Sequence, residues 1–132
     1  MGLDVTFYEV KRKEIGYFRK RNFFLTYFDI EEEQNTVDVE ITKDMLAEFA
    51  ADLKCELVQY KDRIKIQTDE IIEVAEIEPI NPRLRTKEVF FGGSTAYYPE
   101  YWEDLEEAYR WASEQLKTFD WDNSSMVIHC WW

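Results

Sequence analysis

EVFFGGSTAYYPEYWEDLEEAYRWASEQLKTFDWDNSSMVIHCWW, residues Glu88–Trp132, is the stretch whose reading decides the fold. It reads as a strand, a Gly-Gly-Ser-Thr loop, a long helix, a turn and a final strand, and it holds all five Trp residues. Pro99 suits the first helical position, where its missing N–H costs nothing and its φ is already helical. Trp102, Leu105, Tyr109, Ala112 and Leu116 recur at steps of three and four, which places them on one helix face. Glu100, Glu103, Asp104, Glu107 and Glu114 take the opposite side, and acids crowd the first turns, where the helix dipole favours them. Glu106 and Arg110 stand at i, i+4 and offset part of that charge. This acidic side is either the solvated face of a docked helix or a contact surface.

After the helix, Asp120–Ser125 reads as a turn. Met126, Ile128, Cys130 and Trp132 then alternate with Val127, His129 and Trp131, the pattern of a strand. Chain ends usually fray, so two terminal Trp imply a strand held in a sheet or one that meets a partner. Before Glu88, Pro79 and Pro82 mark residues 78–87 as a loop. Thr68, Asp69 and Glu70 resemble a helix start, continued by Ile71, Val74, Ala75 and Ile77; a strand through Ile72 and Val74 is the alternative. Ile64 and Ile66 alternate with Arg63, Lys65 and Gln67 as a short edge strand.

Further upstream, Thr42 is a good N-cap with Asp44 in the first turn. Met45, Phe49, Leu53 and Leu57, with Leu46 and Ala50 beside them, predict an amphipathic helix over 43–57. Val37, Val39 and Ile41 form a strand, preceded by a polar loop from Glu31, Glu32 and Glu33 to Asn35. The dense aromatics from Tyr17 to Phe28 predict a helix. Lys11, Arg12 and Lys13 form a basic turn, and Leu3, Val5 and Phe7 alternate with Asp4, Thr6 and Tyr8 as a first strand. The order of elements predicts one α+β domain over residues 1–132, a small sheet of about four strands packed with two or three amphipathic helices.

The net charge is −12, unevenly spread. Residues 1–30 hold six Lys/Arg against four Asp/Glu, and the remainder ten against 24. Such a chain is repelled by free nucleic acid and anionic lipid and attracted to basic surfaces, including grooves in which other proteins hold DNA or RNA. No apolar run is long enough to span a membrane, and the N-terminus lacks a signal-peptide pattern. Two Cys make no disulfide framework, which fits a reduced, cytoplasmic protein.

Phosphate-loop, dinucleotide, CxxC and HExxH signatures are absent. Gly92-Gly93-Ser94-Thr95 lies between strand and helix, where backbone N–H groups cradle an anion or simply make a tight turn. Arg19, Lys20 and Arg21 form a basic patch, suited to a phosphate or carboxylate, or paired with the chain's own acids. His129 is the only His. It is a structural residue or, with Cys55, Cys130 and a nearby carboxylate, a ligand of a structural zinc. Adjacent strand residues point to opposite faces, which argues against His129 and Cys130 serving one site. No set of nucleophile, base and stabiliser can be assembled, so an enzyme is the third choice.

Several segments occur in the order found in one group of proteins. Met1-Gly2-Leu3-Asp4 opens the chain. Glu14-Ile15-Gly16-Tyr17-Phe18-Arg19-Lys20 with Asn22, Thr42-Lys43-Asp44-Met45-Leu46, Phe90-Phe91-Gly92-Gly93-Ser94-Thr95 and Asp120-Trp121-Asp122 follow. In these the chain resembles small phage and prophage proteins that begin with Met-Gly-Leu-Asp, a group with no settled activity. Thr26 stands where the group often has a His, and Gly93 is an extra small residue.

The resemblance implies a phage or mobile-element origin and the cytoplasm of an infected bacterium. With the acidity, it leads to the expectation of a non-enzymatic, anti-CRISPR-like inhibitor that binds a host defence nucleoprotein and blocks nucleic-acid binding. Glu31–Glu33, Glu100, Glu103, Asp104 and Glu107 would meet Lys and Arg on the partner, and Tyr97, Tyr98 or Trp131 would anchor. The alternative is a binder or sponge for a nucleotide signal, using Gly92–Thr95 with Arg19 and Arg21 for phosphate.

Overall fold

The structure, a computed structural model, describes residues 2–9, 13–68, 76–86 and 96–132. The expected Val89–Phe91 strand, the Gly92–Thr95 loop, Lys11–Arg12 and residues 69–75 of the expected short helix lie outside them. The elements are β1 (Asp4–Glu9), β2 (Lys13–Arg19), α1 (Phe23–Tyr27), β3 (Asp38–Ile41), α2 (Lys43–Thr68), α3 (Pro99–Thr118) and β4 (Met126–Trp131). Two short 3-10 turns, Glu32–Gln34 and Pro82–Leu84, complete them.

The four strands form one antiparallel sheet in the order β2-β1-β4-β3. Alternation sets its inner face. Leu3, Val5 and Phe7, then Met126, Ile128 and Cys130, are buried, and Ile41 joins them from β3. Helices cover this face with Leu46, Phe49 and Leu53 of α2 and Trp102, Leu105, Ala108 and Ala112 of α3. The result is the α+β architecture expected from the order of elements. The Thr42 cap is present, its Oγ1 accepting the Met45 N–H at 3.1 Å, and Pro99 opens α3.

Two expectations are corrected. Tyr17–Phe28 is not one helix: its first part is strand β2 and only Phe23–Tyr27 is helical. Val5 pairs with Phe18 and Thr6 with Tyr17, so Phe18 turns inward while Tyr17 faces out, 51% exposed. Gly16 explains why the strand wins. A Cβ there would lie 2.6 Å from the Trp111 ring, so this strand reaches α3 only because the position has no side chain. The register shifts between Phe7 and Tyr8, a bulge that leaves Ile15 without a cross-strand partner. The Ile15 carbonyl accepts the Trp111 Nε1–H at 2.8 Å instead.

The second correction concerns α2, which runs through the expected Ile64–Ile66 edge strand to Thr68, the first residue of the expected helix start; Asp69 and Glu70 lie outside the described residues. Its continuation is held by polar residues at helical spacing. The Glu56 carboxylate, 3% exposed, accepts the N–H groups of Ile80 and Asn81 at 3.1 and 2.7 Å. Tyr60 stacks on Trp102 at 4.0 Å, and Arg63 donates to the Glu78 carbonyl at 2.9 Å. Ile77 lies buried in an irregular segment, its carbonyl accepting the Trp102 Nε1–H at 3.0 Å.

Candidate functional site

The outer face of the sheet is built by the residues that alternate with the core. The pairing gives three rows: Arg19-Asp4-Trp131, then Tyr17-Thr6-His129-Asp38, then Glu14-Tyr8-Val127-Glu40. At strand spacings of about 4.8 Å and row spacings of about 6.8 Å, this is a surface of roughly 14 by 14 Å. None of the helices described packs on it, since α1, α2 and α3 contribute to the core on the other side.

Trp131 is 59% exposed, the most exposed of the large hydrophobic side chains among the described residues. Its backbone is nevertheless fixed. Asn35 donates to the Trp132 carbonyl at 2.8 Å and accepts the Trp132 N–H at 2.9 Å, and the Thr36 N–H reaches the Cys130 carbonyl at 2.7 Å. The same bonds bring the Glu31–Glu33 turn to the Trp131 end of the sheet, with all three carboxylates exposed.

Tyr17 donates to Asp4 Oδ1 at 2.7 Å, and this bond, the largest cause, raises the Tyr17 hydroxyl above its ordinary range. His129 Nδ1 lies 2.9 Å from Asp38 Oδ1, and its ring meets Tyr8 edge to face at 6.2 Å. The face therefore presents aromatic side chains among four carboxylates, with Arg19 as its one Arg or Lys among the described residues.

The acids of α3 do not join this surface. Trp111 of α3 packs on Phe7 at 4.3 Å, which puts the helix behind the sheet. Glu100, Glu103 and Glu107 are exposed there. Arg21 reaches Asp104 at 3.2 Å and Glu107 at 3.0 Å. Burial, with Glu107, Glu103 and Glu100 adding repulsion, raises the Asp104 carboxyl above its ordinary value in spite of Arg21. The expected acidic surface is thus not one patch: the α3 acids lie behind the sheet, while Glu31–Glu33 lie at its Trp131 end.

Of the expected phosphate site, Arg19 and Arg21 fall among the described residues. Arg21 lines a cavity of about 340 Å³ with Lys20, Asn22, Tyr98 and Tyr101, but Asp104 of the same cavity already engages it. Arg19 sits on the outer sheet face, and Gly92, Gly93, Ser94 and Thr95 lie outside the described residues. Tyr97 is no free anchor: its hydroxyl accepts from Thr86 at 3.1 Å and its N–H donates to Glu76 at 3.0 Å. Tyr98 remains 47% exposed.

The three zinc candidates are dispersed. Cys130 is buried on the inner face, where burial pushes its thiol up to about 12, while His129 points outward. Cys55 is exposed on α2. No metal-binding group of three His, Cys, Asp or Glu occurs among the described residues, and no helix of theirs is long and apolar enough to cross a membrane.

Sequence reasoning missed Asp4, Tyr8, Tyr17 and Asp38 as surface partners of Trp131. The alternation of β1 and β4 already places Asp4, Tyr8, His129 and Trp131 on one face. Tyr17 joins them only once β2 is recognised as a strand. No protein-family model, curated protein or solved structure matches the chain.

Proposed function

We propose that this chain is a non-enzymatic binding protein, an inhibitor of the phage-encoded, anti-CRISPR-like kind. It lays the outer face of its sheet on the basic, nucleic-acid-holding surface of a host defence nucleoprotein. The observation that supports this reading is Trp131, a large aromatic left in water on a strand whose backbone is tied down on both sides. Trp and Tyr are enriched among the few residues that carry most of the binding energy of protein interfaces. On the same face, Asp4, Glu14, Asp38 and Glu40, with Glu31–Glu33 at the Trp131 end, match a basic partner and speed encounter with it.

The test is anisotropy of labelled target DNA on a panel of defence nucleoproteins, CRISPR effectors included. Wild-type chain is expected to displace DNA from one member, less well as salt rises from about 50 to 200 mM and the Debye length shortens. Trp131→Ala is expected to weaken displacement about tenfold or more, roughly 1.4 kcal/mol. DNA retained by every member, or equal displacement by the variant, overturns the proposal.

A further inference from the structure

The helix layer has a second side, opposite the sheet, on which none of the described elements packs. A groove of about 510 Å³ runs between α2 and α3. On α2 its wall carries Lys54 and Lys61, with Val58 and Ile64 between and beyond them, 53% and 36% exposed. On α3 the opposite wall carries Glu103 and Glu106, with Trp102 and Tyr109 below them. Both walls repeat at steps of three and four, so each is one helix stripe about 15 Å long. One wall is basic and the other acidic. None of these four charges forms an ion pair among the described residues.

We infer that this groove docks a second copy of the chain. A two-fold axis parallel to the helices sets α2 of one copy over α3 of the other. The lysine wall of each copy then faces the glutamate wall of its mate, twice over, while the exposed Val58 is covered between the lysines and Ile64 at the end of the stripe. A surface with its two charges on separate helices is self-complementary under that operation, which is what an isologous contact requires. A basic or an acidic helix from another protein would satisfy one wall and be repelled by the other. The net charge of −12 on each copy opposes association, and the two lysine walls offset it at the contact. Two helices side by side span about 20 Å, so the contact is smaller than the roughly 800 Å² per partner of a standard interface. The dimer is therefore weak and concentration-dependent. It is built on the side away from Trp131, so it leaves both outer sheet faces open and makes the assembly bivalent whatever those faces bind.

Sedimentation equilibrium of the full chain tests this, at concentrations up to about 1 mM. The weight-average mass is expected to rise from 16.0 kDa toward twice that value. Lys54→Glu with Lys61→Glu, and separately Glu103→Lys with Glu106→Lys, are each expected to remain monomeric, with helical content unchanged because all four side chains are exposed. An equimolar mixture of the two variants is expected to dimerise again, because every wall then meets its opposite. A wild-type chain that stays monomeric throughout, a dimer untouched by either reversal, or a mixture that stays monomeric overturns the inference.

Discussion

On the inner face of β1, Val5 and Phe7 have no exposure at all, and Phe7 touches the rings of Phe18, Phe24, Phe28 and Trp111. On the outer face of the same strand, Asp4 and Tyr8 keep contact with water, flanked by Tyr17 and Trp131, each more than half exposed. Aromatic side chains populate both faces. The difference is what surrounds them: other rings on one side, carboxylates and solvent on the other. An aromatic content of 17% therefore does not by itself measure the core, because strand parity divides it between stability and recognition.

The comparison can be broken most severely at Phe7. Phe7→Ala removes the ring at the centre of the aromatic cluster and should cost about 3–5 kcal/mol in a urea titration. A loss below about 1 kcal/mol would mean that the inner face is not the source of stability. Gly16→Val comes next. Its side chain must displace the Trp111 ring that stands 2.6 Å from the Cβ position, and overpacking of this kind costs about 1–3 kcal/mol. The loss should be accompanied by a changed Trp fluorescence maximum; an unperturbed spectrum at full stability would disprove the close approach. The smallest effects belong to the outer face. Trp131→Ala and Tyr17→Phe should each move stability by no more than about 0.5 kcal/mol, as exposed substitutions do, even where partner binding collapses. A destabilisation of 2 kcal/mol at Trp131 would assign it to the fold and remove the main support for the binding proposal.

The acids divide in the same way. Asp104 and Glu107 share Arg21 on the helix side, while Asp4, Glu14, Asp38 and Glu40 share the sheet face with an exposed Trp. Counting carboxylates cannot separate the two groups, because a formal charge carries no information about the neighbour that meets it.

Strong periodicity was legible directly. The helix from Pro99, the strands β1, β3 and β4 and the inward side of β1 and β4 follow from apolar spacing, which reflects which side chains must leave water; Val37, expected in the third strand, lies before β3 and is 47% exposed. Two segments defeated that reasoning. From Tyr17 to Phe28 nearly every position tolerates burial, so the 2.0 and 3.6 periods fit equally well and only the gap that Trp111 requires above Gly16 chose the strand. Beyond Leu57 the helix is maintained by Glu56, Tyr60 and Arg63, whose polar spacing signals nothing until their backbone and ring partners are in place.

By itself, then, the sequence determined the α+β class, the direction in which β1 and β4 bury their side chains, and a charge that favours basic partners. These follow from local spacing and composition, which act wherever the chain goes. Only the tertiary structure decided that Arg21 is occupied by Asp104 and Glu107, that the acids occupy two opposed surfaces, and that Trp131 stands on a fixed strand in water. Each of those depends on contacts between residues some 80 to 100 positions apart, such as Arg21 with Glu107 and Asn35 with Trp132, 86 and 97 positions apart. Contacts of that range exist only after the sheet and helices have packed.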